Sequence, residues 1–358
     1  MIKKFFGTSI ITFVIMQSLF AQDSTKSLII SGSVDGYYRY NFSNASGNSN
    51  NKTSFTNSQN SFALGMATIK ADATALSGKV TATADLGFGT RAEEFSYYES
   101  ATKSTLALVK QLYITYALSP TVKITAGKFA THVGYEVMDA PLNRNYSMSY
   151  MFTNGPFSHT GVKMDVTAGP VGFMLGVANF IDQTTSTTST KTLIAQVSGG
   201  SKNGKLKAYL NYAGFFGADA GLNPLSLKSL SQLDLVVNAT VTDKFGVGFN
   251  ATIQDRKQIA GSTTPNGSWK GFALYLNVDP TPAVGLTLRS EYISDSKIVY
   301  YGTKNIFANT LSVNYKVGPF TLIPELRFES AQSEIYIKND GTGSTSTFTA
   351  LLAAVYKF

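Results

Sequence analysis

The connections in this chain alternate between short and long, and that alternation restricts the fold more than any other feature. Stretches of about 10 to 13 residues with alternating hydrophobicity are joined in turn by tight and by extended segments. The tight ones are Leu76 to Lys79, Leu118 to Thr121, Ala168 to Val171, Ser201 to Gly204, Thr242 to Lys244, Asp279 to Pro282 and Val317 to Phe320. Each carries Gly, Pro, Asn, Asp or Ser where a tight turn requires them. Eight longer polar segments lie between, near 43–59, 90–104, 130–157, 182–190, 216–230, 257–268, 295–303 and 331–344. Seven turns and eight loops make fifteen connections and predict sixteen strands, with 14 or 18 as neighbouring counts. A soluble sandwich has no reason to gather its short turns at one end, whereas an outer-membrane barrel has short periplasmic turns and long extracellular loops. The expectation is therefore an all-β fold, a transmembrane antiparallel β-barrel.

The two ends agree with that expectation. Residues 344 to 358, STSTFTALLAAVYKF, finish on an aromatic, with Phe348, Ala350, Leu352, Ala354, Tyr356 and Phe358 in one register. Such a strand is expected to pair with the first one, because an unpaired edge is not tolerated in lipid. Phe358 is expected to act as the signal read by the barrel-assembly machinery. At the other end, Lys3 and Lys4 precede an uncharged run from Phe5 to Phe20 and then Ala21-Gln22-Asp23. Residues 1–21 read as a signal peptide, since the run is short and polar for a membrane anchor; residues 22–358 would form the barrel. Removing residues 1–21 takes away two lysines and lowers the formal charge from +8 to +6.

Composition narrows the class. Charged residues make up 15% of the chain, against about 25% in ordinary globular domains. Cysteine is absent, which removes disulfides, thiolate nucleophiles and thiolate metal sites. No Lys/Arg block interleaved with aromatics signals nucleic acid, and no nucleotide or cofactor motif occurs. Expected partners are outer-membrane lipid and small hydrophilic solutes or ions; monomer and homo-oligomer both fit.

Strand by strand, the apolar register is assigned to lipid and the charged register to the lumen, because Lys or Arg facing mid-membrane costs about 2 to 4 kcal/mol. Phe272, Leu274, Leu276 and Val278 then face outward opposite Tyr275, Asn277 and Asp279; Phe320, Leu322, Pro324, Leu326 and Phe328 oppose Glu325, Arg327 and Glu329. Tyr40, Phe42, Phe88, Tyr116, Tyr315 and Tyr356 would form the interfacial girdles. The lumen-wall candidates are Asp35, Arg39, Asp85, Lys163, Asp165, Asp234, Arg289, Glu291, Glu325, Arg327 and Glu329. Their mixed signs suggest ion pairs across the wall.

A barrel of sixteen strands leaves an aqueous channel, so function turns on what narrows it. Residues 130 to 157, ATHVGYEVMDAPLNRNYSMSYMFTNGPF, are too long and too apolar for a solvated connection. They are expected to fold into the barrel mouth, with His132, Glu136, Asp139, Arg144 and His159 as constriction candidates. Packing on the rim or on a neighbouring subunit is the alternative. A Ser/His hydrolase would have to combine His132 or His159 with Ser147, Ser149 or Ser158, but no G-x-S-x-G or H-E-x-x-H is present. Two histidines without close carboxylates make no metal set.

The segments NSFALGMATIKADATALSGKVTATADLGFGTR and LVKQLYITYALSPTVKITAGKFATHVGYEVMDAPLNRNYSMSYMFTNGPFSHTGVKM resemble the OmpL-like β-barrel porins of Bacteroidota. The resemblance rests on Gly127 to Phe129, Gly134, Glu136, Asn143 to Tyr150, His159 and Gly161, and covers residues 60 to 170 best. It implies an outer-membrane porin and no catalytic residues. The expected function is passive diffusion of small hydrophilic solutes, with a closed, loop-presenting envelope barrel as the alternative.

Overall fold

The computed structural model describes residues 26–217, 226–263 and 265–358; the signal peptide expected at residues 1–21 lies outside the described residues. Sixteen strands close into one antiparallel barrel. In chain order they are β1 (Ser27–Asn41), β2 (Ser61–Ala75), β3 (Val80–Phe88), β4 (Val109–Ser119), β5 (Val122–Ala130), β6 (Ser158–Ala168), β7 (Val171–Ala178) and β8 (Thr192–Gly200). The second half comprises β9 (Leu206–Phe216), β10 (Leu227–Thr242), β11 (Phe245–Gln258), β12 (Gly267–Thr281), β13 (Val284–Ser294), β14 (Asn305–Val317), β15 (Phe320–Ala331) and β18 (Ser346–Lys357). A two-stranded ribbon, β16 (Tyr336–Ile337) with β17 (Gly343–Ser344), sits in the last long loop outside the barrel sheet.

Every strand pairs with its sequence neighbour, and β18 returns to β1, so the sheet has no free edge. All seven expected turns join strands at one end and all eight long segments join them at the other. Two turns show why the turn chemistry is legible: Gly169 and Gly318 have φ of 59° and 56°, and each precedes a proline. A positive φ at the first central position matches the twist of a hairpin and is easiest for glycine.

The pleat sorts the faces as expected. On β4, Leu112, Ile114, Tyr116 and Leu118 are exposed on the outside while Tyr113 and Thr115 point inward. On β15, Leu326 and Phe328 lie outside and Glu325, Arg327 and Glu329 are buried inside. The outer surface is thus an apolar band whose solvent is lipid, with exposed Phe42, Phe88, Tyr116, Tyr315 and Tyr356 near strand ends. The inside is not an empty tube. Its extracellular half is packed by loop residues, and its densest part is the segment that follows β5.

Candidate functional site

Residues 131–157 leave β5, pass down the lumen and return to β6. A descending backbone inside a barrel loses water, so its N–H and C=O groups need partners. The wall supplies them from residues that the charged register placed inward. Glu325 of β15 accepts from Tyr146 N at 2.9 Å, Glu291 of β13 accepts from Tyr150 N at 2.7 Å, and Asp234 of β10 accepts from Gly134 N at 2.9 Å. Arg289 of β13 donates to the carbonyls of Ser147 and Met148 at 2.7 and 3.3 Å, and Arg327 of β15 donates to the Met148 carbonyl at 3.0 Å.

Side chains of the loop complete the attachment. Glu136 turns back on its own loop to take Ser149 N at 2.7 Å, and forms an ion pair with Arg289 at 2.5 Å. Tyr146 donates its hydroxyl to Asp35 of β1 at 2.5 Å, and Tyr150 donates to Glu329 at 2.6 Å. Arg289, Glu291, Arg327 and Glu329 run as one buried series, with contacts of 3.1 to 3.2 Å between successive partners. Charges buried this deeply persist only when paired and hydrogen-bonded. Loop and wall therefore stabilise each other, and neither would hold its present geometry alone.

The loop reaches far down. Arg144 forks onto Asp279 of β12 with contacts of 3.0 and 2.8 Å, and its Nε donates to Thr287 at 2.7 Å. Asp279 lies two residues before the end of β12 at Thr281, beside the short turn, while the loop enters from the opposite mouth. A short 3-10 turn over Ala140–Leu142 forms the tip, and Val137 and Asn143 clamp its base through hydrogen bonds in both directions.

The five constriction candidates do not form one ring. His132 and His159 face each other at 5.3 Å on the β5, β6 and β9 side, where His132 Nε2 lies 3.0 Å from the Tyr212 carbonyl and His159 Nε2 lies 3.2 Å from Thr131 Oγ1. Burial pushes the His132 imidazole down to about 4, so it stays neutral. Glu136 sits on Arg289, Asp139 on Lys110 at 2.5 Å, and Arg144 on Asp279. They contact three separate parts of the wall, on β13, β4 and β12. Neither histidine bonds a serine among the described residues, since Ser149 caps the short helix over Tyr150–Asn154 and Ser147 is held by Glu325 and Arg289. Among the described residues no cluster of three or more His, Asp or Glu is placed to hold a metal.

All eleven wall candidates lie on the inward register, but most face the loop and not water. Asp35, Asp85, Asp234, Arg289, Glu291, Glu325, Arg327 and Glu329 are buried beneath it or beneath their partners, and Arg39 is capped by the carbonyls of Ser49 and Ser58 at 2.7 Å each. Lys163 and Asp165, 3.1 Å apart, remain on an open surface. Three functional residues escaped the sequence reading. Lys110 of β4 bridges Asp85 and Asp139, the buried Arg91 of helix α1 (Thr90–Phe95) grips the carbonyls of Met138 and Tyr146, and Asp182 accepts from Phe157 N and Ser158 N at 2.6 and 2.9 Å. Arg91 and Asp182 carried no periodic signal, because both lie in loops.

What stays open is the side away from the loop and the end toward the turns. A cavity of about 530 Å³ is bounded by Gln111, Tyr113, Thr115, Lys123, Lys163 and Asp165. Smaller ones of about 250 and 280 Å³ flank the loop tip, lined by Asn314, Lys316 and Lys357 in the first and by Asn145, Asn238 and Asn277 in the second. Hydroxyls, amides and charges on these surfaces suit hydrated solutes, with Phe129, Leu142, Ile323 and Val355 as apolar parts of the lining.

Known proteins agree with this architecture. The outer membrane channel DcaP of Acinetobacter baumannii superposes with a TM-score of 0.63 at 14% identity, covering 93% of this chain and 97% of that one. The anion-selective porin from Comamonas acidovorans gives 0.62 at 11% identity over 93% and 100%. The trimer form of OmpT, an outer membrane protein of Vibrio cholerae, gives 0.59 at 12% identity over 93% and 99%. At these identities the likeness is one of fold. No curated protein sequence matches the chain. The family model described as "Putative beta-barrel porin-2, OmpL-like" matches residues 27–358, so the chain belongs to that family and is an outer-membrane β-barrel porin.

Proposed function

We propose that this porin passes small hydrophilic solutes and ions by passive diffusion through a lumen that residues 130–157 narrow. The carrying observation is the placement of that segment: it is anchored to β1, β10, β13 and β15 by buried or part-buried hydrogen bonds and an ion pair, and to β12 by a more exposed one. The polar cavity between β3 and β6 is left on the other side. A constriction held this way excludes by size, and the polar lining admits hydrated solutes. Planar-bilayer recording of the purified, folded barrel tests this; stable conductance steps that rise with salt support it.

A second reading has its own observation. Phe55, Met66, Ala92, Phe95, Met138, Met148, Phe152 and Phe157 form one buried apolar cluster beneath the extracellular loops. Such a seal suits a closed barrel that presents its loops for binding or envelope contacts. Electrical silence from protein that still shows heat-modifiable mobility favours this reading. Bacteroidota as the source rests on the resemblance over residues 60 to 170, and assembly into identical oligomers rests on the fold shared with an outer membrane protein in trimer form; crosslinking in membranes tests the latter.

A further inference from the structure

The acids and bases at the turn end of the lumen are not balanced. Inward registers bring four carboxylates to that half of the wall: Asp72 with Lys70 at 2.9 Å, Asp165 with Lys163 at 3.1 Å and Asp279 with Arg144 at 2.8 Å each have a cation, and Asp35, two residues above the Ser33–Lys357 pair, is held by the Tyr146 hydroxyl at 2.5 Å. Four lysines are left over. Lys123 is the second residue of β5, Lys207 the second of β9, Lys316 the penultimate of β14 and Lys357 the last of β18. Their cross-strand partners are Asp165, Asn238, Thr321 and Ser33. These partners lie on the inward register, so the four ammonium groups belong to the lumen side and not to the lipid headgroups.

Among the described residues none of the four makes an ion pair within 4.0 Å; Lys123 comes closest in register, opposite an aspartate that Lys163 already holds. Their strands are spread round the closed sheet, with β14, β9, β5 and β18 each separated from the next by at least one other strand. The cavities between them carry the same sign. Lys123 and Lys163 outnumber Asp165 in the cavity of about 530 Å³, and Lys316 and Lys357 line the one beneath the loop tip together with Arg144. The turns at this end add Lys79, Lys202, Lys205 and Lys244 against Asp243.

We propose that the periplasmic half of the lumen is a cationic vestibule, and that the solutes this porin prefers are small anions. The inference rests on the diffusion-channel reading and specifies its substrate class. A ring of like charge inside a low-dielectric wall concentrates counter-ions and repels co-ions. Side chains that are already ion-paired contribute little to that field, so the four unpaired lysines set its sign.

Reversal potential across a KCl gradient tests the proposal in planar bilayers, with chloride and potassium as the probes. Chloride should pass preferentially, and the combined Lys123→Glu, Lys207→Glu and Lys316→Glu variant should lower the chloride-to-potassium permeability ratio by about tenfold. The outward-register Lys270→Glu change should leave it alone. Conductance with no preference, or with potassium favoured, overturns the vestibule while leaving the channel standing. Silence from folded wild-type barrel overturns the channel reading, and this inference with it. If the glutamate variant fails to reach the folded, heat-modifiable form, the corresponding glutamine variant replaces it. An unchanged ratio in that variant is equally decisive against the lysines.

Discussion

Glu136 is the residue on which the loop and the wall most depend. It accepts from Ser149 N, forms an ion pair with Arg289 and receives the Tyr275 hydroxyl at 3.3 Å. Removing one partner of a buried pair leaves the other uncompensated, at about 3 to 5 kcal/mol. Arg289→Met should therefore lower the temperature at which the folded form converts to the unfolded form in detergent, and Glu136→Gln with Arg289→Met should recover part of the loss; additive losses would show that the two are not coupled. At the seam, Gly32 N and O each bond Phe358 at 3.0 Å, and a Cβ on Gly32 would meet Thr68 O at 2.4 Å and the Phe358 ring at 2.6 Å. Gly32→Ala should reduce the yield of folded barrel, as should Phe358→Ser; normal yields in both would remove the seam from the account of assembly. Asp182, in the external loop between β7 and β8, is buried, and desolvation raises its carboxyl from 3.8 to about 6. A raised folded-state value means that the fold prefers the neutral acid. Its contribution is full below pH 3.8 and is lost as pH rises through about 6, up to about 3 kcal/mol of local stability. Amide exchange at Phe157 and Ser158, corrected for intrinsic rates, should speed up between pH 4 and 7 in the native protein and not in Asp182→Asn; equal slopes would rule this out.

At the scale of elements, the loop tip can be removed without its base opening, because Val137 and Asn143 already clamp it, at the cost of the Asp139 contact to Lys110 and the Met138 carbonyl contact to Arg91. Excising residues 138–142 and joining the clamp through glycine keeps Glu136 on Arg289 and Arg144 on Asp279. Single-channel conductance should rise; an unchanged value would place the constriction elsewhere. The elements themselves were legible from the sequence wherever a periodic constraint acted. Strands showed because the pleat forces alternation between lipid and lumen, as with Leu326 and Phe328 against Glu325 and Arg327. Turns showed because Gly318 and Gly169 need positive φ. The apolar tyrosines and methionines of residues 130–157 announced a segment unfit for solvent, and the structure puts it inside. What alternation hid was Lys110: an irregularity between Asp85 and Leu86 leaves it unpaired between Val109 and Gln111, so it turns inward out of phase with its strand. Arg91 was hidden for a different reason, since a loop cation shows its partners only once the chain has folded around Met138 and Tyr146. The same limit applied to the wall charges, whose register was readable but whose coverage by the loop was not.

For the whole molecule, the two halves of the lumen differ in kind. The extracellular half is filled by the loop, with Arg289, Glu291, Arg327 and Glu329 ion-paired in series and Phe55, Phe152 and Phe157 packed above. The periplasmic half is open and carries Lys123, Lys207, Lys316 and Lys357 without ion-pair partners among the described residues. Fixed charge confined to an aqueous segment attracts mobile counter-ions whose number depends little on the bulk. Screening sets the range of that effect, about 10 Å at 0.1 M and about 3 Å at 1 M salt. At 1 M the lysines act only on their immediate neighbours, and conductance should follow the bulk conductivity. At 0.1 M their fields overlap across the vestibule, and conductance divided by bulk conductivity should be higher by about twofold. The excess should vanish in the variant carrying Lys123→Glu, Lys207→Glu and Lys316→Glu together and persist in Lys270→Glu, because only the first set faces the lumen. Strict proportionality from 0.1 to 1 M in the native barrel would mean that ions cross without sensing these lysines, and the charge asymmetry between the two halves would then have no part in conduction.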